Sequence, residues 1–128
     1  MKHLDQIKSR RVLVVDDAPQ IADAVANILR RLNYEVAVDI TSSAHEALSR
    51  VQQGAYSLII TDYQMPDMSG LELAQAVRRI SPDMPIVLMS GDDISELRRA
   101  SKGLDLAAFL AKPFSITRLL DVVQRAVA

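Results

Sequence analysis

Cysteine is absent from the chain. Its absence excludes a disulfide framework and any thiolate metal site, and it suits a reducing compartment. No apolar run approaches the ~20 residues that a helix needs to cross a bilayer, and Met1 to Arg11 lacks the apolar core of a secretion signal. No sign of charge dominates either: 15 Lys and Arg against 16 Asp and Glu leave a formal net charge of -1. That balance argues against a broad electrostatic surface for nucleic acid. Internal repeats and low-complexity segments are also missing. What remains is 128 residues, 49% hydrophobic and 24% charged, enough for one globular domain that buries a core without covalent staples. The expectation is a single cytoplasmic domain over residues 1–128, with 1–10 as a short polar extension.

The apolar residues fall into an alternating pattern. Arg11-Val12-Leu13-Val14-Val15 reads as a first strand and is followed by Asp16-Asp17-Ala18-Pro19. Ile21, Val25, Ile28, Leu29 and Leu32 then recur at helical spacing. After an Asn33-Tyr34 turn, Glu35 to Asp39 reads as a second strand. Ser42 or Ser43 can cap a helix that runs through Gln53 and stops at Gly54. Leu58-Ile59-Ile60-Thr61-Asp62 is short, β-branched and bounded by turn formers, as expected of a central parallel strand covered on both faces. A loop with Pro66 and Gly70 leads into a helix from Leu71 to Ile80, and Pro82 and Pro85 forbid its continuation. Ile86 to Ser90 is the fourth strand. A helical pattern over Asp92 to Lys102 follows, with Ile94, Leu97 and Ala100 inward and Gly103 as the stop. Ala107 to Ala111 is the fifth strand, ending at Lys112-Pro113, and Ser115 caps a last helix. Five strands alternate with five helices, which predicts an α/β domain with a parallel sheet and helices on both faces.

In such a sheet the carboxyl ends of the strands share one edge, where open α/β sheets keep their chemistry. That edge receives Asp16 with Asp17, Asp62, Ser90 and Lys112. Three carboxylates at close quarters repel by roughly 1 kcal/mol per pair at 4 Å in water, and by roughly 4 at an effective dielectric of 20. A hard divalent cation such as Mg²⁺ relieves this, because it takes oxygen ligands and keeps waters that a phosphate can displace. Lys112 and Ser90 suit phosphoryl oxygens. With no Cys, no His at a strand end and no base beside a Ser, the candidate nucleophile is a carboxylate, and Asp62 on the middle strand is the best placed.

At these residues the sequence resembles the receiver domain of bacterial two-component response regulators, from about Arg11 to Val127. The resemblance rests on Asp16-Asp17, on Asp62 before Met65-Pro66 and Gly70, on Ser90-Gly91, and on Phe109 upstream of Lys112-Pro113. It implies a flavodoxin-like doubly wound (βα)5 fold with strand order 2-1-3-4-5. It also implies that Asp62 accepts phosphate from a sensor histidine kinase or a histidine phosphotransfer protein. Asp17, Asp62 and the backbone carbonyl of Gln64 would ligate Mg²⁺, with Asp16 acting mainly through a metal-bound water. Lys112 and Ser90 would hold phosphoryl oxygens, Ser90 and Phe109 would act as switch residues, and Lys112-Pro113 would be cis. The face of helix four, strand five and helix five would then change its protein partners. The implied chemistry is phosphoryl acceptance with slow self-dephosphorylation, without turnover of a separate substrate. No output domain is expected after Ala128, so the expected output is a protein contact, with neither DNA nor a membrane bound directly and a weak homodimer compatible.

Each residue alone has a plainer reading. Asp16-Asp17 before Pro19 could cap the first helix, Met65-Pro66 could be a turn, and Ser90 a cap or turn former. Lys112 could be a solvated charge and Phe109 core. Their joint placement at one edge overturns these defaults. His3 and His45 read as surface residues, and Arg98, Arg99 and Lys102 as a solvated helix face. Gly103 lies further from Phe109 than the family pattern puts that glycine, so helix four should end early with a longer loop after it. Gln64 and Asp92 stand two residues past Asp62 and Ser90, where side chains can shield a phosphoryl group from water. The alternatives are a receiver piece of a hybrid kinase or multidomain regulator, or a pseudo-receiver acting by constitutive contacts. An aspartyl-phosphate phosphatase lacks its acid here, since Gln64 stands where that acid would be. A nucleotide or flavin binder lacks its glycine-rich loop after strand one.

Overall fold

A computed structural model describes residues 11–32, 36–54 and 56–127. The elements in order are β1 (Arg11–Val15), α1 (Pro19–Leu32), β2 (Ala37–Thr41), α2 (Ala44–Gln52), β3 (Leu58–Asp62), α3 (Gly70–Ile80), β4 (Ile86–Ser90), α4 (Ile94–Ala100), β5 (Ala108–Ala111) and α5 (Ile116–Val127). The strands form one parallel sheet in the order β2-β1-β3-β4-β5, the flavodoxin-like arrangement that the resemblance implies. The expected extension over 1–10, with His3, and the Asn33-Tyr34 turn lie outside the described residues.

Side-chain alternation along the strands divides the core in two. Val12, Val14, Leu58 and Ile60 face α1 and α5, where Val25, Leu29, Leu119 and Val122 cover them. Leu13, Val15 and Ile59 face the other way, against Ala44, Ala47 and Val51 of α2 and Leu73 and Val77 of α3. The central β3 is buried along its whole length, as a strand covered on both faces must be.

Two expectations shift. The second strand, expected over Glu35 to Asp39, is Ala37–Thr41, paired with β1 from Arg11 with Ala37 to Val15 with Thr41, and Glu35 lies outside the described residues. In α4 only Leu97 is buried; Ile94 is half-buried and Ala100 exposed. This helix has seven residues and ends early, as the position of Gly103 predicts. The loop after it turns through positive φ at Gly103 and Asp105. Arg78 of α3 holds that loop, donating to the carbonyls of Leu104 and Asp105 at 3.3 and 3.2 Å and to those of Pro82 and Met84 at 2.7 Å each.

Candidate functional site

Four strands, β1, β3, β4 and β5, end on or run directly into a polar residue, and the parallel topology brings these positions together. Asp16 and Asp17 follow β1, Asp62 closes β3, Ser90 closes β4 and Lys112 follows β5. Oxygens of Asp16, Asp17 and Asp62 all lie within 4.8 Å of one another. Asp16 and Asp62 are buried, at 1% and 8% exposure, while Asp17 faces solvent.

Lys112 lies between the two buried acids. Its Nζ is 2.9 Å from Asp16 Oδ2 and 3.1 Å from Asp62 Oδ1. One cation therefore faces three carboxylates, and the cluster keeps a negative excess. Burial pushes the Asp62 carboxyl above its usual range; the Lys112 hydrogen bond opposes this and the charge of Asp16 adds to it. Burial alone would lower the Lys112 ammonium, but Asp16 and Asp62 outweigh it and the net shift is upward. The donor set suits a hard divalent cation: three carboxylates on one side, one of them open to water, beside the loop that carries Gln64.

The acceptor position is fixed from behind. The Tyr63 amide donates to the Met89 carbonyl at 2.8 Å, and the Gly70 amide donates to the Tyr63 carbonyl at 2.7 Å. Gly70 is obligatory here, since a Cβ would press on the Asp62 carbonyl oxygen, which as backbone cannot give way. Ser69 and Glu72 then cap α3 reciprocally, one donor each.

Ser90 is 2% exposed, and its Oγ accepts from the Asp92 amide at 3.0 Å. The Lys112 amide bonds the Ser90 carbonyl at 2.8 Å, which ties these two strand ends together. Ser90 also lines an open cavity of about 700 Å³ with Tyr63, Asp92, Leu97 and Arg99. Across the mouth of the site Gln64 Nε2 donates to Asp92 Oδ2 at 2.6 Å. Lys112-Pro113 is cis.

Phe109 stands apart from the acids, half-buried on β5, with the Arg98 guanidinium 4.8 Å from its ring centroid. Arg99, the next residue, lines the cavity that Ser90 and Tyr63 also line. Arg98, Arg99 and Lys102 are all exposed, yet the two arginines serve different surroundings. His45 is exposed on α2, but its ring meets Asp67. The sequence reading passed over Asp67 and the pairing of Lys112 with Asp16, because the partners lie 22 and 96 residues away and no local spacing marks them.

Fold and site together define an α/β domain organised around one carboxylate at the carboxyl edge of its sheet. A sequence model described as the response regulator receiver domain matches residues 12–124, and the chain belongs to that family. It is 37% identical over 117 residues to the DNA-binding transcriptional regulator NtrC of Azospirillum brasilense, covering 90% of this chain and 24% of that one. Among solved structures it is similar to the chemotaxis protein CheY4 of Vibrio cholerae, with a TM-score of 0.84, 31% identity, and 91% of this chain and 98% of that one covered. It is also similar to the response regulator TrrA of Thermotoga maritima in complex with Mg²⁺-BeF, with a TM-score of 0.82, 30% identity, and 91% and 98% covered. The chain spans 24% and 47% of the length of two curated relatives that it matches. It is the receiver domain of a two-component response regulator. No helix among the described residues is long and apolar enough to cross a membrane.

Proposed function

We propose that Asp62 accepts a phosphoryl group from the phosphohistidine of a sensor kinase or phosphotransfer protein. The observation that carries this is the convergence of Asp16, Asp17 and Asp62 around the single ammonium of Lys112. An Asp62 carboxylate oxygen forms the new P–O bond as the P–N bond breaks, and the imidazole nitrogen leaves with the electron pair. Lys112, already 3.1 Å from Asp62 Oδ1, neutralises charge on the transferred group, and the Ser90 hydroxyl donates to one of its oxygens. Asp16, Asp17, Asp62 and the Gln64 carbonyl would hold Mg²⁺, which supplies charge neutralisation and in-line alignment of donor and acceptor when bound.

An aspartyl phosphate adds roughly 1.5 to 2 negative charges. Ser90 is drawn toward it, Phe109 turns into the space behind, and the α4-β5-α5 face exchanges protein partners. Gln64 and Asp92, joined across the mouth of the site, stand where water must approach, and their bond sets the lifetime of the phosphorylated state. The chemistry is self-modification followed by slow self-hydrolysis, and it serves a free-standing regulator or the receiver of a longer chain equally. The presence of every acceptor-site residue favours this over constitutive contacts. Acetyl phosphate with Mg²⁺ should add one phosphoryl group by mass spectrometry and none in Asp62→Asn; an equal gain in that variant removes Asp62 as the acceptor.

A further inference from the structure

Asp67, in the loop between β3 and α3, belongs to none of the groups that converge on Asp62, yet its carboxylate is heavily engaged. Oδ2 accepts from Ser43 Oγ at 3.0 Å and from the His45 amide at 3.0 Å, and it lies 2.9 Å from His45 Nδ1. Oδ1 accepts from the Ala44 amide at 3.4 Å. These donors are the first turn of α2, whose amides have no partner inside the helix and whose positive end favours an anion. Ser43 works in both directions, since its Oγ caps α2 by accepting from the Glu46 amide at 3.2 Å while its proton goes to Asp67. The His45 amide is the main cause that holds Asp67 well below the usual carboxylate range; burial opposes it, and the His45 ring, the Ser43 hydroxyl and the Ala44 amide reinforce it.

The loop over residues 63–69 is hydrogen-bonded at its ends, and its Met65 and Met68 side chains pack against the core beneath α2 and α3. The Tyr63 amide bonds to β4 and its carbonyl accepts from the Gly70 amide, and Ser69 is locked into the cap of α3. The Gln64 side chain reaches only toward Asp92, on the α4 flank. Between these points the polar tie to α2 is Asp67. We infer that Asp67 is a positioning residue for the metal site: by anchoring the middle of this loop to α2, it holds the Gln64 carbonyl where a cation on Asp16, Asp17 and Asp62 meets it. The inference rests on the proposed function above. A ligand ordered in advance spares the binding step the cost of ordering it, so freeing the loop weakens the cation without altering the three carboxylates.

Calorimetric titration of the whole chain with Mg²⁺ tests this. Asp67→Ala should weaken Mg²⁺ by about tenfold, the lower end of what outer-shell supports contribute to metal affinity. Its rate of phosphorylation by acetyl phosphate at saturating Mg²⁺ should stay within about twofold of the parent. Asp67→Asn keeps one carbonyl acceptor and should recover part of the affinity, which a loss of global stability alone would not produce. A folded Asp67→Ala chain with parental Mg²⁺ affinity, whatever its melting temperature, overturns the inference. Should Asp67→Ala not fold, His45→Ala removes only the ring contact; a weakening of about twofold supports the clamp and an unchanged affinity refutes it. Failure of the parent chain itself to bind Mg²⁺ is a separate result, which defeats the proposed function and this inference with it.

Discussion

The two flanks of the acceptor edge are built differently. On one side α2 buries Ala44, Ala47 and Val51, and α3 buries Gly70, Leu73, Ala74 and Val77. On the other, α4 buries Leu97 alone. Burial of one large apolar side chain is worth roughly 1.5–3 kcal/mol, so α4 rests on about that much apolar attachment while α3 draws on two such side chains, Leu73 and Val77, with Ala74 beside them. Segments with few buried contacts open at lower free energy than the core around them. The flank carrying the Gln64 carbonyl and Asp67 is therefore the fixed one. The flank expected to answer a phosphoryl group is lightly held, which is where a small local charge can shift a population.

The strongest test of this asymmetry is a pair of truncations. Leu73 is fully buried and Leu97 is 3% exposed, so equal burial would suggest equal costs. Leu73→Ala should lower global stability by about 3 kcal/mol in a urea melt, the usual range for a cavity that cannot collapse. Leu97→Ala should cost about 1 kcal/mol globally, because α4 can detach while the rest stays folded, with amide exchange accelerated in α4 only. Equal global losses, or exchange that spreads to α3, would break the comparison.

A smaller effect separates the acceptor from the Asp67 clamp by pH. Asp62 has its carboxyl raised, chiefly by burial. Between the unfolded value and the raised one the folded state binds more protons, so this group adds stability as pH falls through that window and loses it as pH rises. Asp67 is lowered; its contribution is present above the unfolded value and is lost as pH falls through the depressed one. In metal-free protein Asp62→Asn should therefore gain about 1 kcal/mol near neutral pH, chiefly by removing the cost of burying a charged carboxylate, with the Asp16–Asp62 repulsion adding to it. The gain should shrink toward pH 4, where the parent carboxyl takes up its own proton. Thermal melts of the two chains across pH 4 to 8 measure this, and a gain that does not depend on pH would remove the Asp62 charge as its cause.

Much of this site was legible in the sequence, and the reason is topological. A parallel sheet sends all its strand ends to one edge, so Asp16, Asp62, Ser90 and Lys112 could be placed together from the apolar runs that precede them. The errors came where pairing overrides pattern. Alternation around Ala37 and Val38 fits more than one register, and the hydrogen bonds to β1 chose the one beginning at Ala37. Helical spacing through Ile94, Leu97 and Ala100 promised three inward residues, but the lightly seated helix buries one. Arg98 and Arg99 read as a single basic face, whereas one covers Phe109 and the other lines the cavity beside Tyr63. The four carbonyls bound by Arg78 and the clamp on Asp67 have no local signature, because their partners are chosen by the fold.

The finest division of the loose flank is between those two arginines. The Arg98 guanidinium lies over the face of the half-buried Phe109 ring, an attraction worth about 0.5–1 kcal/mol at an exposed site. Arg98→Ala should therefore change global stability by no more than that. Its effect on the proposed switch should be easier to see, since the same free energy is a shift of about two- to fivefold in any equilibrium where Phe109 leaves the guanidinium and turns inward. Acceptance of phosphate from acetyl phosphate should rise by that factor in Arg98→Ala and by less in Arg98→Lys, which keeps the charge without the flat stacking surface. Combined with Phe109→Leu, Arg98→Ala should have no further effect, because the ring it acts through is gone. Arg99→Ala removes the same charge from the same helix turn but touches no aromatic switch, so it should leave the rate unchanged. If the two alanine variants accelerate phosphorylation equally, the cause is the net charge of α4, and the stacked pair holds nothing back.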